Sequence, residues 1–127
     1  MSALPMPMPT AAADPTAPIR GRRPGPVDLV HLARQTFGSA ELEREVLRLF
    51  VDQSRELTKT IGAAGPIERG ALVHRLKGSA RGIGAGRVAQ AAEALEAPGL
   101  AESEARRLVC ELEDAVAEVR LFVDSIL

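Results

Sequence analysis

The 127-residue chain contains no tryptophan, no tyrosine and only one cysteine. Because Cys110 has no second cysteine to pair with, the sequence excludes a disulfide framework and a cysteine-based metal site, and it suits a reducing cytoplasm. The formal net charge is −1, so the chain lacks the basic excess of a nucleic-acid-binding protein. We therefore expect protein partners and no nucleic acid.

Long apolar runs are absent as well. No segment approaches the roughly 18 to 20 apolar residues of a membrane span, and residues 1–10 lack the basic start and apolar centre of a signal peptide. These absences predict a soluble, cytoplasmic protein that does not enter a membrane. The length leaves room for one domain of about a hundred residues with one hydrophobic core.

Proline is concentrated at the start of the chain. Seven of the nine prolines lie in residues 1–26, where almost no periodic apolar pattern occurs. Such a segment cannot bury enough surface to offset the entropy that it loses on ordering. We predict a disordered, partly polyproline-like tail over residues 1–26 and a folded domain over residues 27–127. The tail is either a flexible leader or a docking arm that binds through Arg20, Arg22 and Arg23.

Beyond the tail, apolar residues recur at steps of three and four, and β-branched runs are absent. This pattern predicts an all-α fold. Asp28 is expected to cap a short extra helix that ends at Phe37, before a left-handed stop at Gly38 and a second cap at Ser39. Four longer helices are predicted. Three of them span about 40–61, 66–83 and 85–97, and the fourth follows the turn at 97–103. Short connections favour an antiparallel up-down-up-down four-helix bundle.

The apolar stripes of these helices predict the core. In the helix at 40–61 the expected buried positions are Leu42, Val46, Leu49, Phe50, Gln53, Leu57 and Ile61. In the helix at 66–83 they are Leu72, Val73, Leu76, Ala80 and Ile83, with Ser79 at the edge.

His74 lies on the face of the 66–83 helix opposite this stripe, so its imidazole should point into solvent. The same exposed side carries Gly70, Gly78 and Gly82. Glycine inside a helix costs about 1 kcal/mol relative to alanine, so stability alone does not favour these residues. Small residues one turn either side of an imidazole would instead let the backbone of another protein approach the ring.

Two cations follow His74 in the helical register, Lys77 at the third position and Arg81 at the seventh. Both could hold an incoming anion by charge-assisted hydrogen bonds. Neutral imidazole is a competent nucleophile near neutral pH, and phosphoryl transfer depends mostly on positioning and charge neutralisation. The pattern therefore predicts a phosphoryl group on His74, with Lys77, Gly78 and Arg81 contacting the phosphate or the partner.

A means of using ATP is missing from the sequence. We find no glycine-rich loop of the P-loop or kinase type and no acidic cluster suited to magnesium, and GIGAG lies between helices, where a turn is expected. The phosphoryl group must therefore come from a partner. We expect a protein that is not an enzyme, binds no cofactor itself and depends on its partner for Mg²⁺.

Spacing adds a carboxylate to the predicted site. If the helices fold back on each other about Ala85, His74 lies eleven residues before the turn and Glu96 eleven after it. At about 1.5 Å per residue, both then lie roughly 16 Å from the turn. Glu96 could accept a hydrogen bond from Nδ1–H of His74 and leave Nε2 free to attack. The alternative is a solvated glutamate in the last turn of its helix.

The run HRLKGSARGIGAGRVAQAAEALE, residues 74–96, resembles the signature of histidine phosphotransfer (HPt) domains. In that signature His-x-x-Lys-Gly-Ser is followed by Gly-Ala and then Leu-Glu. A weaker similarity extends over residues 28–127. The resemblance implies that His74 accepts a phosphoryl group from one receiver domain and passes it to another in a two-component phosphorelay.

Residue roles follow from the same resemblance. It implies that Lys77 is the cation near the phosphate, that Gly78 is the small residue permitting approach and that Glu96 is the partner of the imidazole. Ser79 also matches the signature, but its place on the helix favours packing. The role of Arg81 depends on its spacing alone.

Other interpretations compete with the relay. A non-catalytic helical adaptor would bind a receiver or kinase without depending on the imidazole of His74, and an ordinary exposed helix histidine would have no role. Metal binding is disfavoured because His31 is the only other histidine. The hydrophilic outer face gives no reason to expect a dimer, so we expect a monomer.

Overall fold

The computed structural model describes residues 25–127, so the predicted tail lies outside the described residues apart from Gly25 and Pro26. Within this part of the chain there are five helices and no strand, which confirms the all-α class there. The helices are α1 (Leu29–Gln35), α2 (Ala40–Ala63), α3 (Pro66–Ile83), α4 (Gly86–Leu95) and α5 (Glu102–Ile126). No helix among residues 25–127 is long and apolar enough to cross a bilayer.

The first two helices begin at the predicted caps. The Asp28 carboxylate accepts a hydrogen bond from the His31 N–H at 3.0 Å, and the Ser39 hydroxyl accepts one from the Leu42 N–H at 3.2 Å. Helix α1 ends at Gln35, two residues before the predicted end. Phe37 and Gly38 both adopt left-handed backbone conformations, with φ of 55° and 76°, so the turn takes two residues where glycine alone was expected.

Gly84 forms the predicted turn between α3 and α4. Its φ is +79°, and a Cβ added there would lie 2.9 Å from Cβ of Asp28. The N–H of Asp28 also donates a hydrogen bond to the Gly84 carbonyl at 2.9 Å. Glycine is therefore required both by the backbone conformation and by the close approach of the segment before α1.

The four long helices each pack against two others. Helices α2 and α4 both contact α3 and α5, and α1 packs on α3. Two ion pairs join α3 to α4 and its C-cap, Arg81 with Glu93 and Lys77 with Glu96. Moving back along α3 from Arg81 to Lys77 moves the partner forward from Glu93 to Glu96, so the two helices are antiparallel. The core between the helices is aliphatic, with fully enclosed side chains such as Leu32, Ile61, Leu76 and Leu112.

The predicted buried stripe of α2 is partly wrong. Leu42, Leu49 and Gln53 are exposed, whereas Leu47, Ser54 and Thr58 are buried beside the expected Phe50, Leu57 and Ile61. The hydroxyls of Ser54 and Thr58 donate to backbone carbonyls of their own helix, which satisfies them in the interior. Polar residues can therefore occupy the buried face, and α2 is rotated relative to the prediction.

Helix α3 has the predicted bounds and nearly the predicted buried face. Val73, Leu76, Ala80 and Ile83 are buried. Leu72 and Ser79 are half-buried at the edges of this stripe. This orientation fixes which side of α3 faces solvent.

Candidate functional site

The imidazole of His74 projects from the exposed side of α3, and its side chain is 74% exposed. Its neighbours Val73 and Leu76 are fully buried. Because successive helical residues turn by about 100°, anchoring these two side chains in the core directs His74 outward. The ring is held at a middle turn of a long, packed helix.

Glu96 supplies the partner of the ring. It is the residue directly after α4, and its Oε2 lies 2.9 Å from Nδ1 of His74. With the proton on Nδ1, the ring donates this hydrogen bond and Nε2 carries the free lone pair. The structure thus brings together the two residues that spacing about the turn had placed at the same height.

Lys77 contacts the other oxygen of the same carboxylate. Its Nζ pairs with Oε1 of Glu96, and its side chain is only 14% exposed. The hydrogen bond from Lys77, followed by that from His74, holds the pKa of the Glu96 carboxyl below its ordinary value of 4.5, although partial burial opposes the shift. Glu96 is therefore ionised at neutral pH and is shared between an imidazole and an ammonium group.

The glycines around His74 border open space. A Cβ added at Gly70, Gly78 or Gly82 would meet no other atom within 4 Å. None of the three has the positive φ that would require glycine. Interior packing and backbone conformation therefore do not explain these glycines, and the surface beside His74 is left without side chains.

Arg81 pairs with a different carboxylate from the one that binds His74 and Lys77. Its guanidinium lies 3.4 Å from Oε2 of Glu93 on α4, and both side chains are more than half exposed. Sequence reasoning did not identify Glu93. Glu93 follows Arg81 by twelve residues, across the α3–α4 turn. Lys77 and Glu96 span the same turn at nineteen residues, so counting outward from the turn could have identified Glu93.

Metal-ligating side chains are not clustered in the described part of the chain. Residues 25–127 contain no group of three or more His, Cys, Asp or Glu side chains placed to hold a metal ion. His31 lies in α1, where its Nε2 is buried without a hydrogen-bond partner among these residues.

Comparison with known proteins identifies the family. Residues 45–122 match the family model of the Hpt domain, a span of more than half of the chain that includes all of α3 and α4. No curated protein and no solved structure matches the chain significantly. The matched span contains the exposed His74, its partner Glu96 and the His-x-x-Lys-Gly-Ser run, and the chain belongs to the Hpt domain family, whose members serve two-component phosphorelays.

Proposed function

We propose that His74 accepts a phosphoryl group from the phospho-aspartate of one receiver domain and passes it to the aspartate of another. The observation that carries the proposal is the contact of 2.9 Å between Nδ1 of His74 and Glu96 on an exposed ring. That contact selects the tautomer in which Nε2 is the nucleophile, and the exposure leaves Nε2 accessible to a partner.

The transfer needs no reactant besides the chain and the two receiver domains. The lone pair of Nε2 attacks phosphorus, the bond between phosphorus and the aspartyl oxygen breaks, and the aspartate leaves as a carboxylate. The ring keeps its Nδ1 proton and becomes a cation, which the ionised Glu96 carboxylate stabilises. In the second transfer an aspartate oxygen of the next receiver attacks phosphorus, the bond to Nε2 breaks and the neutral imidazole returns.

Lys77 has two parts in this proposal. It holds Glu96 beside the ring through Oε1, and its ammonium can neutralise charge on the phosphoryl group. Arg81 lies farther along the helix and is proposed to contact the receiver at the edge of the docking surface, exchanging its exposed partner Glu93 for the receiver.

Gly78 is proposed to admit the receiver. The open space at its α-carbon lets the loops around the receiver's aspartate come close to the ring. The receiver's own acidic residues would bind the Mg²⁺ that assists transfer, and the chain would use no ATP. We also propose that the carrier is cytoplasmic and monomeric. The short connections and the packing of the helices favour an up-down-up-down order for α2 to α5.

The test is incubation of the full chain with a phosphorylated receiver domain. We expect label on the wild type that is labile in acid and stable in alkali, and no label on His74→Ala. His31→Gln is the matched control, since it removes the only other histidine and should be labelled normally. Equal labelling of wild type and His74→Ala, or labelling of neither, would favour the non-catalytic adaptor.

A further inference from the structure

A cleft adjoins the candidate site on the side away from the α3–α4 turn. It has a volume of about 490 Å³ and lies between the first turns of α3 and the connection from α4 to α5. Arg69 and Gly70 line it from α3, and Glu96 and Glu102 line it from the other side. Because Glu96 also contacts His74, the cleft and the candidate site share a wall.

Arg69 is the unusual residue of this cleft. Arg69 is only 9% exposed, yet its guanidinium forms no hydrogen bond or ion pair with another of residues 25–127. Nε2 of His31 is the one side-chain nitrogen or oxygen in this part of the chain that is buried without a partner, so the guanidinium of Arg69 reaches the open cleft. Arginine commonly packs its aliphatic stem against the protein and keeps its charged group accessible. A guanidinium that opens into a cleft and is neutralised by no carboxylate of residues 25–127 is suited to an external anion.

The surroundings also favour negative charge. The cleft is bordered by Pro66 at the start of α3 and by Glu102 at the start of α5, so the positive ends of two long helix dipoles converge there. Of its two carboxylates, Glu96 is already engaged by Lys77 and His74. Glu102 is exposed and forms no ion pair within the described residues, so it does not neutralise Arg69.

We propose that this cleft is a specificity subsite of the docking surface, in which Arg69 binds an acidic side chain of the receiver domain. The inference rests on the proposed function, since it takes the receiver as the partner that covers His74. Gly70 lies one helical turn before His74 and lines the cleft, so a receiver docked over the imidazole also reaches the mouth of the cleft.

The first experiment measures the dissociation constant of the full chain and the unphosphorylated receiver by calorimetry. We expect Arg69→Met to weaken binding about tenfold or more, because it loses a hydrogen-bonded contact between charged groups, and Arg69→Lys to weaken it less. Arg48→Gln, which removes an exposed charge from α2, is the control and should bind normally. Wild-type affinity in Arg69→Met would overturn the inference.

A second measurement separates recognition from folding. Because methionine keeps the packed part of the side chain and no partner among residues 25–127 is lost, Arg69→Met should unfold at about the wild-type temperature. A clear loss of thermal stability together with normal affinity would make Arg69 a structural residue. The affinity is measured with the unphosphorylated receiver, so it does not depend on transfer to His74. If His74 is not labelled, the proposed function fails; if Arg69→Met binds with wild-type affinity, the subsite alone fails.

The partner of Arg69 is identified by a double-mutant cycle. Acidic residues on the receiver's docking face are neutralised one at a time and tested against wild type and Arg69→Met. We expect one of them to weaken wild-type binding while leaving Arg69→Met unchanged. If all of them weaken both proteins equally, or if Glu102→Gln alone reproduces the loss seen in Arg69→Met, the anion is not on the receiver and the inference is wrong.

Discussion

Glu96 Oε2 lies 2.9 Å from Nδ1 of His74, although 22 residues separate the two in the chain. Two packed helices and the turn at Gly84 create this contact. The same carboxylate also binds Lys77, so a single anion organises both the imidazole and a neighbouring cation.

The charge on Glu96 should set the rate of transfer without being essential. We expect Glu96→Gln to slow phosphoryl transfer to His74 about tenfold, and Glu96→Ala to slow it further, toward about a hundredfold, because the ring then loses its orienting partner. Rapid-quench measurement of labelling at saturating phosphorylated receiver tests this. Abolished transfer, or an unchanged rate, would contradict an orienting role.

Glu96 should titrate at an unusually low pH in the folded protein. Because the folded pKa lies below the ordinary value of 4.5, the interaction stabilises the fold fully above that value and loses its effect as pH falls through the folded pKa. We therefore expect acidification through this window to destabilise wild type more than Glu96→Gln, as measured by urea unfolding.

The cause of this shift can be tested separately. Carbon-detected NMR titration of the Glu96 carboxyl should give a midpoint below 4.5 in the wild type and a higher one in Lys77→Met, because Lys77 contributes most to the shift. Lys59→Met is the control. Lys59 lies on α2, away from the site, and its exposed ammonium is 3.7 Å from Glu56 of the same helix. If the midpoint of the Glu96 titration is the same in Lys77→Met as in the wild type, the ion pair with Lys77 does not stabilise the ionised carboxylate in solution.

Bulk at Gly78 should separate docking from stability. Replacing this helical glycine by glutamine should raise the free energy of unfolding by about 0.5 kcal/mol, since glutamine is the better helix former. Transfer from the receiver should nevertheless slow, because the new side chain occupies the open surface beside His74. Gly62→Gln on α2 makes a matched change away from the imidazole and should leave transfer unchanged. A Gly78→Gln protein that transfers at the wild-type rate would exclude close approach at this position.

Two glycines of GIGAG should respond in opposite directions. Gly84→Ala forces a side chain onto a left-handed residue and against Asp28, so we expect a loss of about 1 to 3 kcal/mol in the free energy of unfolding. Gly82→Ala enters open space on a regular helix and should stabilise by up to about 1 kcal/mol. Urea unfolding of both variants measures the difference; equal effects would mean that the turn is not held as described.

The parts of the fold that depend on local sequence were predictable. Pro66 and the glycines after Ile83 bound α3, and its aliphatic stripe directs His74 outward, so periodicity alone indicated both. The rotation of α2 was not predictable from periodicity, because Ser54 and Thr58 are buried through hydroxyl bonds to their own helix. Such bonds make polar residues acceptable in the core without leaving an apolar signal in the sequence.

The candidate site was likewise only partly predictable from the sequence. Counting residues about the turn placed His74 and Glu96 at one height, because helical rise is regular. It could not indicate that Lys77 turns toward Glu96, since a flexible side chain chooses among neighbours that only the packed structure supplies. Arg69 gave no signal at all, because the cleft that it lines with the α4–α5 connection exists only in the packed structure.

The central claim is that Nε2 of His74 is the phosphorylated atom while Glu96 holds Nδ1. Two-dimensional ¹H–¹⁵N correlation of the imidazole, recorded on the full chain after labelling by a phosphorylated receiver, distinguishes the two ring nitrogens directly. We predict a phosphoryl group bonded to Nε2 of His74 and a proton retained on Nδ1. Phosphorylation at Nδ1, or at any residue other than His74, would contradict it.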